Sequence, residues 1–214
     1  MGEDPVVTTN KPAFPSELFD RQDESSDELF YRSARIVTHI DDATIRALTQ
    51  FYRDQLPVGA DVLDLMSSWA SHLPAERQLG RVAGLGMNAE ELEANNRLSD
   101  WTVHDLNRET ELPYPDSSFD AVLNAVSVQY LIDPVAVFAS IHRVLRPGGV
   151  SIVAMSHRCF PTKAIRAFHY SSGPQRMEFI DRCSELAGFD DVQQLDRSPE
   201  GADPLWIVVA TKAG

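Results

Sequence analysis

With 214 residues, 43% of them apolar and 24% charged, the chain has the length and composition of one sizeable globular domain. Its 19 basic and 32 acidic residues leave a net charge of −13, which repels phosphate backbones and anionic lipid, so neither nucleic acid nor membrane is an expected partner. Cys159 and Cys183 form neither a CxxC pair nor a zinc-ligand spacing, the first residues have no leader pattern, and no apolar run approaches a membrane span. These features lead to the expectation of a reducing, cytoplasmic location.

Residues 1 to 28 are polar, with Pro5, Pro12 and Pro15 and an acidic run over 23–28, and are expected to be mobile or draped. A single domain is expected over 29–214. In DDATIRALTQFYRDQL, the residues Ile45, Leu48, Phe51, Tyr52 and Leu56 recur at helical spacing, with Asp41 or Asp42 as cap and Pro57 as stop. Strand-like and helix-like segments then alternate: strands over 61–65, 81–86, 101–104, 119–125 and 150–155, helices over 90–96 and 133–145. The RPGG of 146–149 reads as a turn. A helix over 176–187 and two strands, 191–195 and 205–211, close the chain. This order predicts an α/β, Rossmann-like doubly wound sheet of about seven strands, mostly parallel, with an antiparallel C-terminal strand. In such sheets a ligand lies beyond the carboxyl ends of the strands, at the point where strand order reverses.

That point falls on VLDLMSSWASHLP, residues 62–74. The stretch opens like a nucleotide-binding turn, yet between Gly59 and Gly80 it contains no glycine, only the small residues Ser67, Ser68, Ala70 and Ser71. Serine hydroxyls there offer side-chain donors, at Ser67 and Ser68, in place of bare backbone amides.

The elements and three later motifs, the HDL of 104–106, the LPYPDSSFDAV of 112–122 and the RVLRPGG of 143–149, resemble the class I S-adenosylmethionine-dependent methyltransferases, in particular the type 11 group. The resemblance spans roughly residues 40 to 214. It implies S-adenosylmethionine as cofactor and methyl transfer to a small-molecule substrate. It also implies roles. Asp64, with Leu65, matches the acidic position beside the methionine part of the cofactor. Met66, Ser68 and Ala70 stand where the family has glycines, with Ser67 and Trp69 in the same loop. Gly86 stands where most members place a ribose-binding carboxylate, with Met87 and Asn88 following, and Asn88 is a candidate to compensate. Asp105 matches the acceptor of the adenine amino group, with the Leu106 amide nearby, and Asn124 and Ala125 fall where backbone faces the cofactor.

Tyr31 is a further candidate for the cofactor pocket. Tyr130, His157 and Arg158 follow the fourth and fifth strands, where they could orient an acceptor, take its proton or hold a carboxylate. For Arg35, His39 and His72 a solvated or capping role is the expectation. The segment 159–174 is long enough to form a lid. No metal is implied, because an activated methyl needs chiefly an aligned acceptor. The alternative is a module that keeps the fold and the ligand but not the chemistry.

Overall fold

The computed structural model describes residues 14–214, so part of the segment 1–28 lies outside the described residues. Seven strands form one sheet in the order β3-β2-β1-β4-β5-β7-β6. They are β1 (Val62–Leu65), β2 (Val82–Gly86), β3 (Asp100–Val103), β4 (Phe119–Ala125), β5 (Leu145–Met155), β6 (Asp191–Asp196) and β7 (Trp206–Thr211). β3, β2, β1, β4 and β5 run parallel; β7 enters antiparallel beside β5 and pairs on its other side with β6. The order reverses beside β1, between β2 and β4.

Alternation of side chains along each strand divides the core into two layers. Leu63, Leu65, Val122, Val153 and Met155 belong to one apolar cluster. It is completed by helices α4 (Pro134–Val144) and α6 (Gly173–Leu186). Val62, Ala121, Leu123, Ile152 and Ala154 belong to the other, which is covered by α2 (Asp42–Gln55) through Leu48, Phe51 and Tyr52. Asp41 caps α2, accepting from the Thr44 amide at 2.9 Å, and Asp133 caps α4.

Three local expectations are corrected. RPGG is not a turn between elements: it is a bulge inside β5, where the register jumps from Phe119↔Leu145 to Ala121↔Val150 and Gly148 supplies a φ of 77°. α6 begins at Gly173, three residues before Arg176, because Ser172 and Gln175 form a capping box with a proline in the first turn. The third correction bears on function. His72 stands at helical spacing from Trp69 in the sequence, but no helix links β1 to β2, so the two do not share a helical face.

The connection over 66–81 is irregular, and its residues explain why. Met66 and His72 have φ of 57° and 54°, which ends any helical run, and Pro74 removes a further donor. The serines bond sideways instead of capping a helix. Leu73 packs into the α2 cluster, and the Thr49 hydroxyl on α2 donates to the His72 carbonyl at 2.9 Å.

Residues 14–30 lie along the domain. Phe14, Leu18 and Phe19 pack on the first apolar cluster, with Phe14 4.9 Å from the Phe179 ring. A short helix α1 (Asp27–Phe30) follows. The side chain of Lys163 is fully buried and contacts Asp23 at 3.2 Å and Asp27 at 3.1 Å. Asp27 also accepts from Arg21 and Asn107. Although burial alone would raise it, these donors hold the Asp27 carboxyl below the usual carboxylate range. A four-residue helix, α5 (Arg166–His169), lies between β5 and α6. Its flank is anchored, since Ile165 donates to the Gln129 carbonyl and Arg166 to that of Asp20. Among the described residues, no helix is long and apolar enough to cross a membrane.

Candidate active site

β1 delivers Asp64 to the sheet's carboxyl edge as an almost fully buried carboxylate. The hydroxyls of Ser67 and Ser71 both donate to its Oδ2, at 2.5 and 2.6 Å. Even so, burial pushes its pKa up to about 6, the two hydroxyls opposing the rise. Asn95 then donates to the Ser71 hydroxyl and to the Ser68 carbonyl, both at 2.8 Å. The Ser68 hydroxyl donates to Glu91 Oε2 at 2.6 Å. Each hydroxyl has one hydrogen, so those of Ser67 and Ser68 are engaged by the protein's own carboxylates. The expectation that they would serve a ligand carboxylate is therefore corrected: they close the loop on itself.

The loop also lies against β2. The Ser67 amide donates to the Leu85 carbonyl at 2.8 Å, and a Cβ at Gly86 would overlap the Ser67 carbonyl oxygen. Glycine at 86 is thus required by the loop's own path, which accounts for the missing carboxylate there. Asn88 does not stand in for it. It caps α3 (Ala89–Ala94), accepting from the Glu91 amide at 3.1 Å and donating to the carbonyls of Tyr31 and Arg32. That cap places Glu91 in the first turn of α3, aimed at the loop.

Residues 31–40 roof the site. Glu91 Oε1 accepts from the Arg35 amide at 2.7 Å, and the Trp69 indole donates to the Val37 carbonyl at 2.9 Å. The Arg35 guanidinium lies 4.5 Å from the Phe30 ring centroid and 5.3 Å from that of Phe160. Beneath this roof a single cavity is lined by Tyr31, Asp64, Met66, Ser67, Ser68, Trp69, Gly86, Met87, Asn88, Asp105, Leu106, Ala125 and Tyr130. Arg35, His39, His72, Glu91, Asn107, Ser127, Val126 and Phe160 are among its other lining residues. Three of its residues, Met66, His72 and Val126, carry positive φ, and strain in a β-branched residue such as Val126 is the kind that clusters at ligand sites.

Most of the residues singled out in the sequence meet in this cavity; four do not. Leu65 is core, and Asn124 is buried below the floor, donating to the Leu65 carbonyl and accepting from Ser127. His157 and Arg158 stand outside it, both on Asp203, at 3.1 and 3.0 Å. The buried Asp203 holds the Arg158 guanidinium and the His157 ring together, a clamp that keeps both side chains out of this cavity. Tyr130 remains in the wall. Its hydroxyl accepts from the Phe160 amide at 2.8 Å, and burial pushes its pKa up to about 12.

Arg35, His39 and His72, for which a solvated or capping role was the expectation, line the cavity, and His39 is at the same time exposed. Glu91 was legible in principle, as the third residue after an asparagine cap; Phe160 and Asn107 carry no such signal. Asp105 Oδ1 accepts from the Asn107 amide at 2.9 Å, leaving Oδ2 for a ligand. Burial lowers the pKa of His39 and of His72, the latter also through His39. The Tyr31 phenol is raised, again mainly by burial.

A methyltransferase-domain family model matches residues 64–153, the stretch from the buried aspartate through β5. The chain has the fold of the class I S-adenosylmethionine-dependent methyltransferases, and its central segment is similar to a methyltransferase domain. The 2-methyl-6-phytyl-1,4-hydroquinone methyltransferase 1 of Oryza sativa subsp. japonica is 33% identical over 84 residues, 39% of this chain and 25% of the relative. This methyltransferase-like chain thus matches about a quarter of that relative's length. Among solved structures, the [4+2]-cyclase SpnF superimposes with a TM-score of 0.61 at 18% identity, covering 84% of this chain and 89% of its own. Phosphoethanolamine N-methyltransferase 2 of Haemonchus contortus, in complex with S-adenosyl-L-methionine, gives 0.58 at 16% identity, covering 81% and 53%.

Proposed function

We propose that this chain transfers a methyl group from S-adenosylmethionine to a small-molecule acceptor. The observation that carries the reading is the convergence of Asp64, the 66–70 loop, Gly86–Asn88, Asp105–Leu106 and Ala125 on one roofed cavity. The donor set suits such a ligand. Asp64 and Glu91 bring anionic oxygens toward a sulfonium and an ammonium group, Asp105 Oδ2 is available to an adenine amino group, and bare Gly86 leaves backbone at the cavity wall. When bound, S-adenosylmethionine supplies a methyl already activated on sulfur. The protein's part is to hold and align: Asp64 and Glu91 set the charge, the roof excludes water, and the loop's internal hydrogen bonds keep the floor rigid. Small acceptors are supported by the relatives, one named for a hydroquinone and one for phosphoethanolamine. A ligand-binding module without methyl transfer is the rival, favoured by the engaged hydroxyls of Ser67 and Ser68.

Calorimetry with S-adenosylmethionine and S-adenosylhomocysteine tests the first reading. Binding is expected, and Asp105→Ala should weaken it about tenfold, the loss of one charge-assisted hydrogen bond. At a hundred times Kd the ligand should add about 2.7 kcal/mol of stability, raising Tm by roughly 5–10 °C. No binding at millimolar ligand overturns the proposal. Binding without transfer of a labelled methyl to any compound in a small-molecule extract supports the rival.

A further inference from the structure

A second recess opens beside the main cavity, lined by Thr38, His39, Val126, Tyr130, Arg158, Cys159 and Phe160. Five of these seven, Thr38, His39, Val126, Tyr130 and Phe160, also line the main cavity. The recess therefore adjoins the place where a methyl donor would lie. Resting on the reading above, we infer that this recess seats an uncharged acceptor with a weakly acidic, phenol-type hydroxyl, and that His39 receives its proton.

The electrostatics favour an uncharged guest. The Arg158 charge is matched by Asp203 at 3.0 Å. Burial raises the Cys159 thiol and the Tyr130 phenol, so both walls stay protonated at neutral pH. Aromatic rings form part of the rest: Tyr130 and Phe160 lie nearly parallel at 5.8 Å, and the His39 ring stands edge-on to Phe160 at 5.3 Å and 81°. A planar ring fits such walls better than a flexible charged chain does.

A hydroxyl acceptor must lose its proton as it is methylated, and the described neighbours leave one recipient in the recess. Tyr130 and Cys159 are held in their acid forms. In the main cavity the carboxylates of Asp27, Asp64 and Glu91 accept hydrogen bonds from the protein, and Asp105 Oδ2 is assigned to the adenine amino group. The His39 ring makes no hydrogen bond among the described residues. Desolvation and the Arg35 charge lower its pKa, Glu91 opposing them, which keeps it neutral and ready to accept. The charged and titratable groups facing it are Arg35 and Glu91, with His72 across the main cavity and Arg158, Cys159 and Tyr130 in the recess. His39 also remains open to solvent, so a proton taken from the acceptor has a way out. In the step itself the acceptor oxygen forms its bond to the methyl carbon as the O–H proton moves to the imidazole. The methyl–sulfur bond breaks and its electron pair stays on sulfur.

The test uses the full chain saturated with S-adenosylhomocysteine, whose binding is verified first. Its failure to bind would defeat the functional reading itself and this inference with it. Phenol, benzoate and benzylamine are then titrated while the histidine ring resonances are followed by NMR. Phenol is expected to bind and to shift the His39 resonance to saturation, with benzoate and benzylamine at least tenfold weaker. His39→Gln should weaken phenol binding about fivefold, the loss of one hydrogen bond. The inference is overturned if S-adenosylhomocysteine binds yet phenol leaves the wild-type His39 resonance unmoved. It is equally overturned if the charged probes bind as well as phenol does.

Discussion

At the scale of single residues, the glycine-free loop is the instructive case. Its serines were visible in the sequence, but their bonding partners were not, because Glu91 and Asn95 come from a helix more than 20 residues away. Sequence reasoning assigned the hydroxyls to a ligand; the fold assigns them to Asp64 and Glu91. Gly86 makes the same point. Read alone, it is a missing carboxylate, whereas beside the Ser67 carbonyl it is the one residue that lets the loop pass. Restoring the carboxylate with Gly86→Asp should therefore weaken S-adenosylhomocysteine binding and destabilise the fold by about 1–3 kcal/mol, an overpacking effect checked by urea unfolding and calorimetry. A stable variant with improved affinity would contradict the loop's position. Asp64 allows a pH prediction. Its folded pKa, about 6, lies above the model-compound value of 3.8, so the native state binds the extra proton. Its contribution is fully present below about pH 4, is lost as pH rises to about 6, and is level beyond, a change of about 3 kcal/mol. Asp64→Asn, which cannot ionise, should show that much less loss between pH 4 and pH 7.5 in paired urea titrations.

At the scale of elements, strands and long helices were readable because their apolar periods are strong; the strand cores over 62–65, 82–86 and 119–125 differ from expectation by a residue or less. The first crossover was not, since nothing local in Met-Ser-Ser-Trp-Ala-Ser-His announces positive φ at both ends. The covering segment 31–40 was also hard to read: it has no regular structure and is fixed by Glu91, Asn88 and Trp69 from elsewhere. Next to it, residues 20–27 are pinned by Lys163. Lys163→Met removes the ammonium and leaves Asp27 and the Ser25 carbonyl short of a donor. The expected cost is about 3 kcal/mol, since one partner of a buried ion pair is taken away. Urea unfolding measures it, and faster tryptic cleavage at Arg21 and Arg32 in native buffer would place the loosening in this segment.

At the scale of the whole molecule, the strand order puts the reversal beside β1, and every contributor to the cavity floor sits at a carboxyl end of β1, β2 or β4 or just beyond β3. That geometry follows from the alternation of elements, so the general location of the site was legible from the sequence. The roof and the clamp on Asp203 depend on contacts across 32 to 57 positions of chain, which no local pattern encodes. One of those long contacts, between the Trp69 indole and the Val37 carbonyl, joins floor to roof. The protein thereby contains its own optical gauge of closure. When the roof lifts, the indole exchanges a carbonyl for water and its emission shifts to the red; saturation with S-adenosylhomocysteine should bring a blue shift that Trp69→Phe abolishes, and stopped-flow fluorescence would then read out how fast the chamber shuts.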